Sequence, residues 1–228
     1  MITSIRLRDV AVDLDGRRIL SDVSVALDER RIAVIGANGS GKSTFARLLN
    51  GLIAPTSGKV EVHGLDVARD PRSVRRAVGF VFTNPDAQIL MPTVEEDVRF
   101  SLRGSGLARA EIDERVAAVL AEYGLTELAG APAYSLSGGQ KQLLALASVL
   151  VREPSLVVAD EPTTLLDLGN ARLVGDILID RLPTQVLVVT HDLDLAARCD
   201  VVLRFRDGRL VELGEPAGVI ARYRAEFA

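Results

Sequence analysis

The chain carries one cysteine, two histidines and no tryptophan, and only three of its 27 Lys and Arg residues are lysines: Lys42, Lys59 and Lys141. A single thiol cannot close an internal disulfide. Cys199 follows a helix-like stretch and reads as a small buried apolar residue rather than a redox centre. Long hydrophobic runs are missing as well. The stretch 143–151 falls well short of the ~20 apolar residues that cross a bilayer, and no apolar leader follows the N-terminus, so a cytoplasmic protein is expected. The net charge is -4, and no block of Lys or Arg is dense enough for an electrostatic footprint on DNA or RNA, so no nucleic-acid partner is expected. Internal repeats, low-complexity tracts and an obvious interdomain linker are absent too.

What is present is an ordinary globular composition, 48% hydrophobic and 25% charged, which excludes a disordered or fibrous chain. At 228 residues it is long enough to bury a proper core, as one large domain or two small ones. Residues 5–25 alternate apolar and polar side chains around Asp15-Gly16, which predicts a β-hairpin and suggests an antiparallel edge. Three short apolar runs, 32–35, 156–159 and 186–189, are rich in β-branched residues and do not alternate. They predict strands buried on both faces, hence a parallel sheet.

Each run ends in a polar cluster: residues 36–44, Asp160-Glu161, and Thr190-His191-Asp192. In open α/β sheets ligands bind at the carboxyl ends of the strands, so clusters far apart in the chain can converge there. Between the first two runs lies a helix-rich stretch, 94–152, read as a helical insert. Thr93 with Glu96 predicts a capping box at its start, and 110–123 has amphipathic spacing.

Gly36-Ala37-Asn38-Gly39-Ser40-Gly41-Lys42-Ser43 fits the pattern G-x-x-x-x-G-K-[ST], directly after a strand and before a helical stretch that opens at Thr44. Glycines let backbone N–H groups curl around phosphate oxygens, and the following helix adds its N-terminal dipole. Lys42 reaches the β and γ phosphates, and Ser43 ligates magnesium. The alternative is a flexible Gly-Ser turn. Against it, one of the three lysines falls at the required position.

Asp160 and Glu161 end a buried strand, where two adjacent acids need a reason. Asp160 can hold a magnesium ion opposite Ser43, directly or through water, which leaves Glu161 to orient or deprotonate an attacking water. Taken alone, the pair could also be a helix N-cap with solvated acids. His191 ends the third strand and is assigned to the γ-phosphate and the attacking water, because all three strand ends should face one pocket; a lone histidine there would be structural. His63 reads as a turn residue without chemistry.

Leu136-Ser137-Gly138-Gly139-Gln140 heads an apolar helix before the acid pair and resembles the signature of the ABC ATPase superfamily. The likeness covers nearly the whole chain. Residues 160–167 resemble the family's second phosphate-site motif running into its D-loop at Asp167, and His191 matches its switch histidine. The resemblance implies one α/β domain, 1–228, of the P-loop NTPase fold. Its RecA-like core and antiparallel β subdomain would take 1–82 and 153–228, and its helical subdomain about 83–152. It also implies ATP and Mg2+ as ligands, Lys42, Glu161 and His191 as catalytic groups, and a second ATPase subunit facing the first head to tail. Ser137, Gly138, Gly139 and Gln140 of one subunit would then contact ATP on the other. A homodimer is expected, although the motifs equally allow a heterodimer.

Phe82-Thr83-Asn84-Pro85-Asp86-Ala87-Gln88-Ile89 resembles the F-Q-N-P-D-x-Q segment of ATPases that energise energy-coupling-factor importers. Residues 89–94 and 164–168 are closer to the biotin-transporter ATPases than to the cobalt or nickel ones. This implies a transmembrane energy-coupling protein and a small substrate-binding membrane subunit as partners, docked near 84–100, with the chain peripheral on the inner face of the membrane. Another vitamin or metal importer, or a soluble ABC ATPase of assembly, regulation or DNA repair, are the alternatives. Two positions depart from the family. Thr83 stands where the Q-loop glutamine would touch magnesium, which leaves a metal role there in doubt, and Gln88 five residues later is read as a partner contact. Leu14 stands at the adenine-stacking position, so the base would meet apolar packing without a ring.

Overall fold

Asp15 and Gly16 both hold positive φ, 50° and 75°, the backbone of the tight turn that an Asp-Gly pair favours between antiparallel strands. The computed structural model describes residues 4–227. On either side of that turn, β1 (Ile5–Leu14) and β2 (Arg17–Leu27) pair from Leu14 and Arg17 back to Ile5 and Leu27. The hairpin is therefore where the alternation places it. It is not an edge of the parallel sheet, however. With β4 (Ser57–Val62) and β5 (Leu65–Asp66) it builds a separate antiparallel sheet in the order β2-β1-β4-β5.

The main sheet comprises β3 (Arg31–Gly36), β6 (Val78–Val81), β7 (Leu156–Asp160), β8 (Gln185–Val189), β9 (Val201–Arg206) and β10 (Arg209–Gly214). Its strand order is β10-β9-β3-β8-β7-β6. The pairs β9–β3, β3–β8, β8–β7 and β7–β6 are parallel, while β10 closes one side antiparallel to β9. The two-residue period of a strand explains why the three apolar runs do not alternate in polarity. Ile32, Val34, Leu156, Val158, Leu187 and Val189 enter one core, and Ala33, Ile35, Val157, Ala159, Val186 and Val188 enter the other. Fully burying each branched or large apolar side chain contributes roughly 1.5–3 kcal/mol.

The first core lies between the main sheet, the antiparallel sheet, α1 (Lys42–Leu49) and α2 (Pro71–Ala77), with Phe45 packed 5.0 Å from Phe205 between ring centres. The second holds α3 (Val94–Ser101), α4 (Arg109–Glu122), α5 (Gly138–Leu150), α6 (Leu168–Asp176), α7 (Leu193–Ala196) and α8 (Pro216–Ala225). Thr93 and Glu96 cap α3 reciprocally, as their spacing predicts, and Val116, Val119 and Leu120 form the buried stripe of α4. After α6 the chain makes one π-helical turn, Ile177–Arg181. Among the described residues no helix is long and apolar enough to cross a membrane.

Candidate active site

The phosphate loop leaves β3 at Gly36 and re-enters regular structure at Lys42. Gly41, at the helix N-cap, has a φ of 99°, and a Cβ there would fall 2.6 Å from Leu20 Cδ2 of the hairpin. Only glycine allows both the left-handed backbone and that close approach. Lys42 is buried, and its Nζ donates to the carbonyls of Gly36 at 2.8 Å and Ala37 at 2.9 Å, so the ammonium is folded back over the loop. Burial lowers its pKa, an effect that Glu161 and Asp160 partly oppose. Ser40 Oγ is buried without a hydrogen-bond partner, whereas Asn38 and Gly39 are exposed.

Asp160 ends β7 and is buried, yet its two oxygens face polar neighbours. Oδ1 accepts a hydrogen bond from Ser43 Oγ at 2.9 Å, and Oδ2 lies 3.9 Å from Arg47 Nη2. Glu161 leaves the strand with a φ of 54°, a conformation that costs a non-glycine residue on the order of 1–3 kcal/mol and persists only where surrounding contacts fix it. Those contacts are present. Its N–H donates to the Val189 carbonyl at 2.9 Å, while Oε2 accepts from Thr164 Oγ1 at 3.0 Å and from the His191 amide at 3.2 Å. His191 Nε2 stands 3.2 Å from Oε1, at ion-pair distance but without hydrogen-bond geometry, so Oε1 is buried and unpartnered. The three strand ends thus meet: Ser43 with Asp160, and Glu161 with His191.

Ser137 is the N-cap of α5. Its Oγ accepts from the Gln140 amide at 3.3 Å, and Gln140 Oε1 accepts from the Ser137 amide at 2.9 Å. Ser137 and Gly138 are exposed and Gly139 is buried. Among the described residues no hydrogen bond joins 137–140 to the loop 36–44 of the same chain. Asp167 caps α6 and is exposed, flanked by Leu165 and Leu168, which are 67% and 91% exposed. Leu14, at the end of β1, is 39% exposed.

Two side chains of the 82–89 segment are bonded within their own chain. Thr83 Oγ1 donates to the Asp160 carbonyl at 2.8 Å, so its hydroxyl supports the end of β7 from the backbone side. Gln88 is tied into its own chain at the rim of a groove. Its Oε1 accepts from the Phe82 amide at 3.1 Å and its Nε2 donates to the Ala145 carbonyl at 2.9 Å, tying the segment to α5. His63 sits in the turn between β4 and β5 with a φ of 51°, and its ring reaches Ser155 and Gln185. Cys199 is buried, and burial pushes its thiol up to about 12. Sequence reasoning gave no side-chain role to Arg47, Thr164 or Asn170. The first lies one helical turn after Ser43, and the second three residues after Glu161, which were the available signals.

The donor set suits a nucleotide with a small divalent cation. A hydroxyl and a buried carboxylate 2.9 Å apart are hard oxygen donors, and among the described residues no cluster of three His, Cys, Asp or Glu competes with them. Such a pair matches an ion that keeps several waters and takes one or two protein ligands beside phosphate oxygens. Ser40 Oγ in the loop and Glu161 Oε1 at the strand end are buried polar atoms without a hydrogen-bond partner, the kind of group that a bound ligand or water satisfies.

Comparison with known proteins agrees. Residues 20–164 match the family model described as ABC transporter. The chain is 52% identical over 220 residues to an ABC transporter ATP-binding protein of Deinococcus radiodurans, covering 96% of this chain and 97% of that one. It is 46% identical over 221 residues to the biotin transport ATP-binding protein BioM of Rhizobium etli, covering 97% and 98%. The solved structure of cbiO1 from Clostridium perfringens, part of the ABC transporter complex cbiONQ, superposes with a TM-score of 0.86 at 30% identity, over 97% of this chain and 92% of that one. The chain has the P-loop NTPase fold of those nucleotide-binding domains, belongs to the ABC transporter family, and is an ATP hydrolase coupled to transmembrane transport.

Proposed function

We propose that this chain is the ATPase subunit of an energy-coupling-factor importer whose cargo is biotin, and that two copies sandwich two Mg-ATP molecules. The observation that carries the sandwich is a separation. Ser43, Asp160, Glu161 and His191 converge at the strand ends, while the exposed Ser137 and Gly138 begin a helix whose first turn, among the described residues, makes no hydrogen bond to the phosphate loop of its own chain. A helix N-terminus is an anion site, so this second one suits the γ-phosphate held on another copy.

In this reading the backbone of 36–41, with Ser43 and Thr44, holds the phosphates, and Leu14 packs on the base. Ser43 and Asp160 hold the magnesium ion, which when bound would neutralise charge on the phosphate oxygens. Lys42 leaves the carbonyls of Gly36 and Ala37 for phosphate oxygens, and Glu161 orients or deprotonates the water that attacks in line. His191 holds that water from the other side. Ser137 of the partner subunit stabilises charge on the leaving and transferring groups, and Asp167 lines the contact between copies. Each charge-assisted bond to phosphate contributes about 1.5–3 kcal/mol, so a few make closure depend on the γ-phosphate and reopening follow its loss.

The transmembrane energy-coupling protein would dock in a groove of about 680 Å³ beside 83–152, taken as the helical subdomain. Phe80, Phe82, Leu90 and Phe100 line it together with arginines that include Arg103 and Arg152, a composition suited to an amphipathic helix. It overlaps the 84–100 surface singled out in the sequence. Docking there keeps the chain peripheral on the inner face of the membrane, with the small substrate-binding subunit reached only through the coupling protein. The importer reading is tested by co-expression with the membrane proteins encoded beside it. ATP-dependent biotin uptake by the reconstituted complex supports it; uptake of another vitamin or a metal ion reassigns the cargo, and no membrane partner at all refutes it.

A further inference from the structure

A Cβ built on Gly139 would overlap Cγ, Oδ1 and Nδ2 of Asn170, the last at 2.5 Å. The whole carboxamide lies against the bare Cα of the second signature glycine. Its neighbour Gly138 differs: nothing stands within 4 Å of a Cβ there. One glycine of the pair faces open space, and the other faces a side chain of its own protomer.

Asn170 holds Asp167 at the same time. Its backbone N–H donates to Asp167 Oδ1 at 2.9 Å and its Nδ2 donates to Oδ2 at 2.7 Å, so one residue engages both carboxylate oxygens. These two bonds hold the Asp167 carboxyl below the usual carboxylate range. Asn170 stands in the first turn of α6, and the same carboxamide that rests against Gly139 carries the Nδ2 that reaches Asp167.

We propose that Asn170 is a positioning residue, wedged between Gly139 and Asp167, which makes the signature and the D-loop of one protomer a single rigid unit. A displacement of the α5 N-terminus as it grips a phosphate is passed through the carboxamide to the carboxylate of Asp167. That consequence rests on the two-copy sandwich proposed above; the mechanical link itself does not. Glycine at 139 is required to make room for Asn170 as well as for any phosphate.

The link is tested on the nucleotide-free chain by following the Asp167 carboxyl with carbon NMR as pH is varied. Asn170→Ala is expected to move its titration to higher pH, and Gly139→Ala, two elements away, to move it in the same direction. An unchanged Asp167 titration in Gly139→Ala overturns the proposal. Turnover supplies the second readout. Gly139→Ala is expected to lower ATP hydrolysis by about tenfold, the scale of an overpacked contact, and the double variant with Asn170→Ala to return to the rate of Asn170→Ala alone. A double variant slower than Asn170→Ala by the same factor that separates Gly139→Ala from the parent chain also overturns it, since the glycine then serves the phosphate only. If Gly139→Ala does not fold, folding of the double variant supports the steric link and its failure counts against it. ATP-driven dimerisation of a Glu161→Gln chain is scored separately: its absence with a coupled titration removes the sandwich and leaves the link standing.

Discussion

Ser43 Oγ donates a hydrogen bond to Asp160 Oδ1 across 2.9 Å, joining two residues 117 positions apart at the ends of neighbouring layers of the fold. The carboxylate is 3% exposed as a side chain, and Thr83 fixes the carbonyl of the same residue, so neither group can be moved cheaply. Ser43→Ala and Asp160→Asn are each expected to raise the Mg2+ concentration that gives half-maximal ATP turnover by at least about tenfold, the scale of losing a group that holds or orients a metal. Titration of the steady-state rate with Mg2+ checks this, and an unchanged midpoint would remove the pair from the metal site.

Glu161→Gln should preserve ATP binding and reduce hydrolysis by about 10²–10⁴-fold, the range for loss of a general base. The amide keeps the size of the side chain and its bond from Thr164. Equilibrium binding of a fluorescent ATP analogue and a phosphate-release assay separate the two effects, and normal release by the variant would end the assignment.

Leu14 should discriminate weakly between bases, because apolar packing against the face of a base reads none of the hydrogen-bonding groups on its edge. Comparable ATP and GTP turnover is therefore expected, together with a gain in ATP affinity in Leu14→Tyr of about tenfold from stacking at roughly 1–3 kcal/mol. Strong ATP preference in the parent chain would contradict this.

The three strand-end clusters were legible in the sequence because each is a local word: a glycine run before Lys42, two acids after a β-branched run, and a histidine after another. The hairpin was legible for the same reason, since Asp15-Gly16 sets its turn. Its sheet was not. Neither β4 nor the four-residue β6 carries enough pattern to be seen before its partners are known, and β-pairing is decided by neighbours rather than by propensity. Gln88 illustrates the same limit at the site. Both ends of its amide are occupied by groups at Phe82 and Ala145, and nothing in F-T-N-P-D-A-Q announces the second. Asn170 against Gly139 is a contact between two helices, invisible to any motif.

Cys199 should resist alkylation in the folded chain at mildly alkaline pH and react on denaturation, because burial holds its thiol to about 12 against an ordinary 9.0. The sign for stability follows. The folded state keeps this proton longer than the unfolded state does, so stability falls as pH rises from 9.0 toward about 12. Chemical denaturation across that window should show a shallower loss for Cys199→Ala than for the parent chain; an equal slope would contradict the assignment.

The sandwich is tested most directly by a cross-link between chains. In a Cys199→Ala, Glu161→Gln background, chains carrying Asn38→Cys are mixed with chains carrying Gly138→Cys, both exposed positions, and oxidised with ATP, with ADP or without nucleotide. A disulfide-linked dimer of the two different chains that forms with Mg-ATP and not with ADP is the predicted result. Cross-linking that ignores the nucleotide, or fails with ATP although the chains bind it, would contradict the claim that one copy's signature closes over the other's phosphate loop.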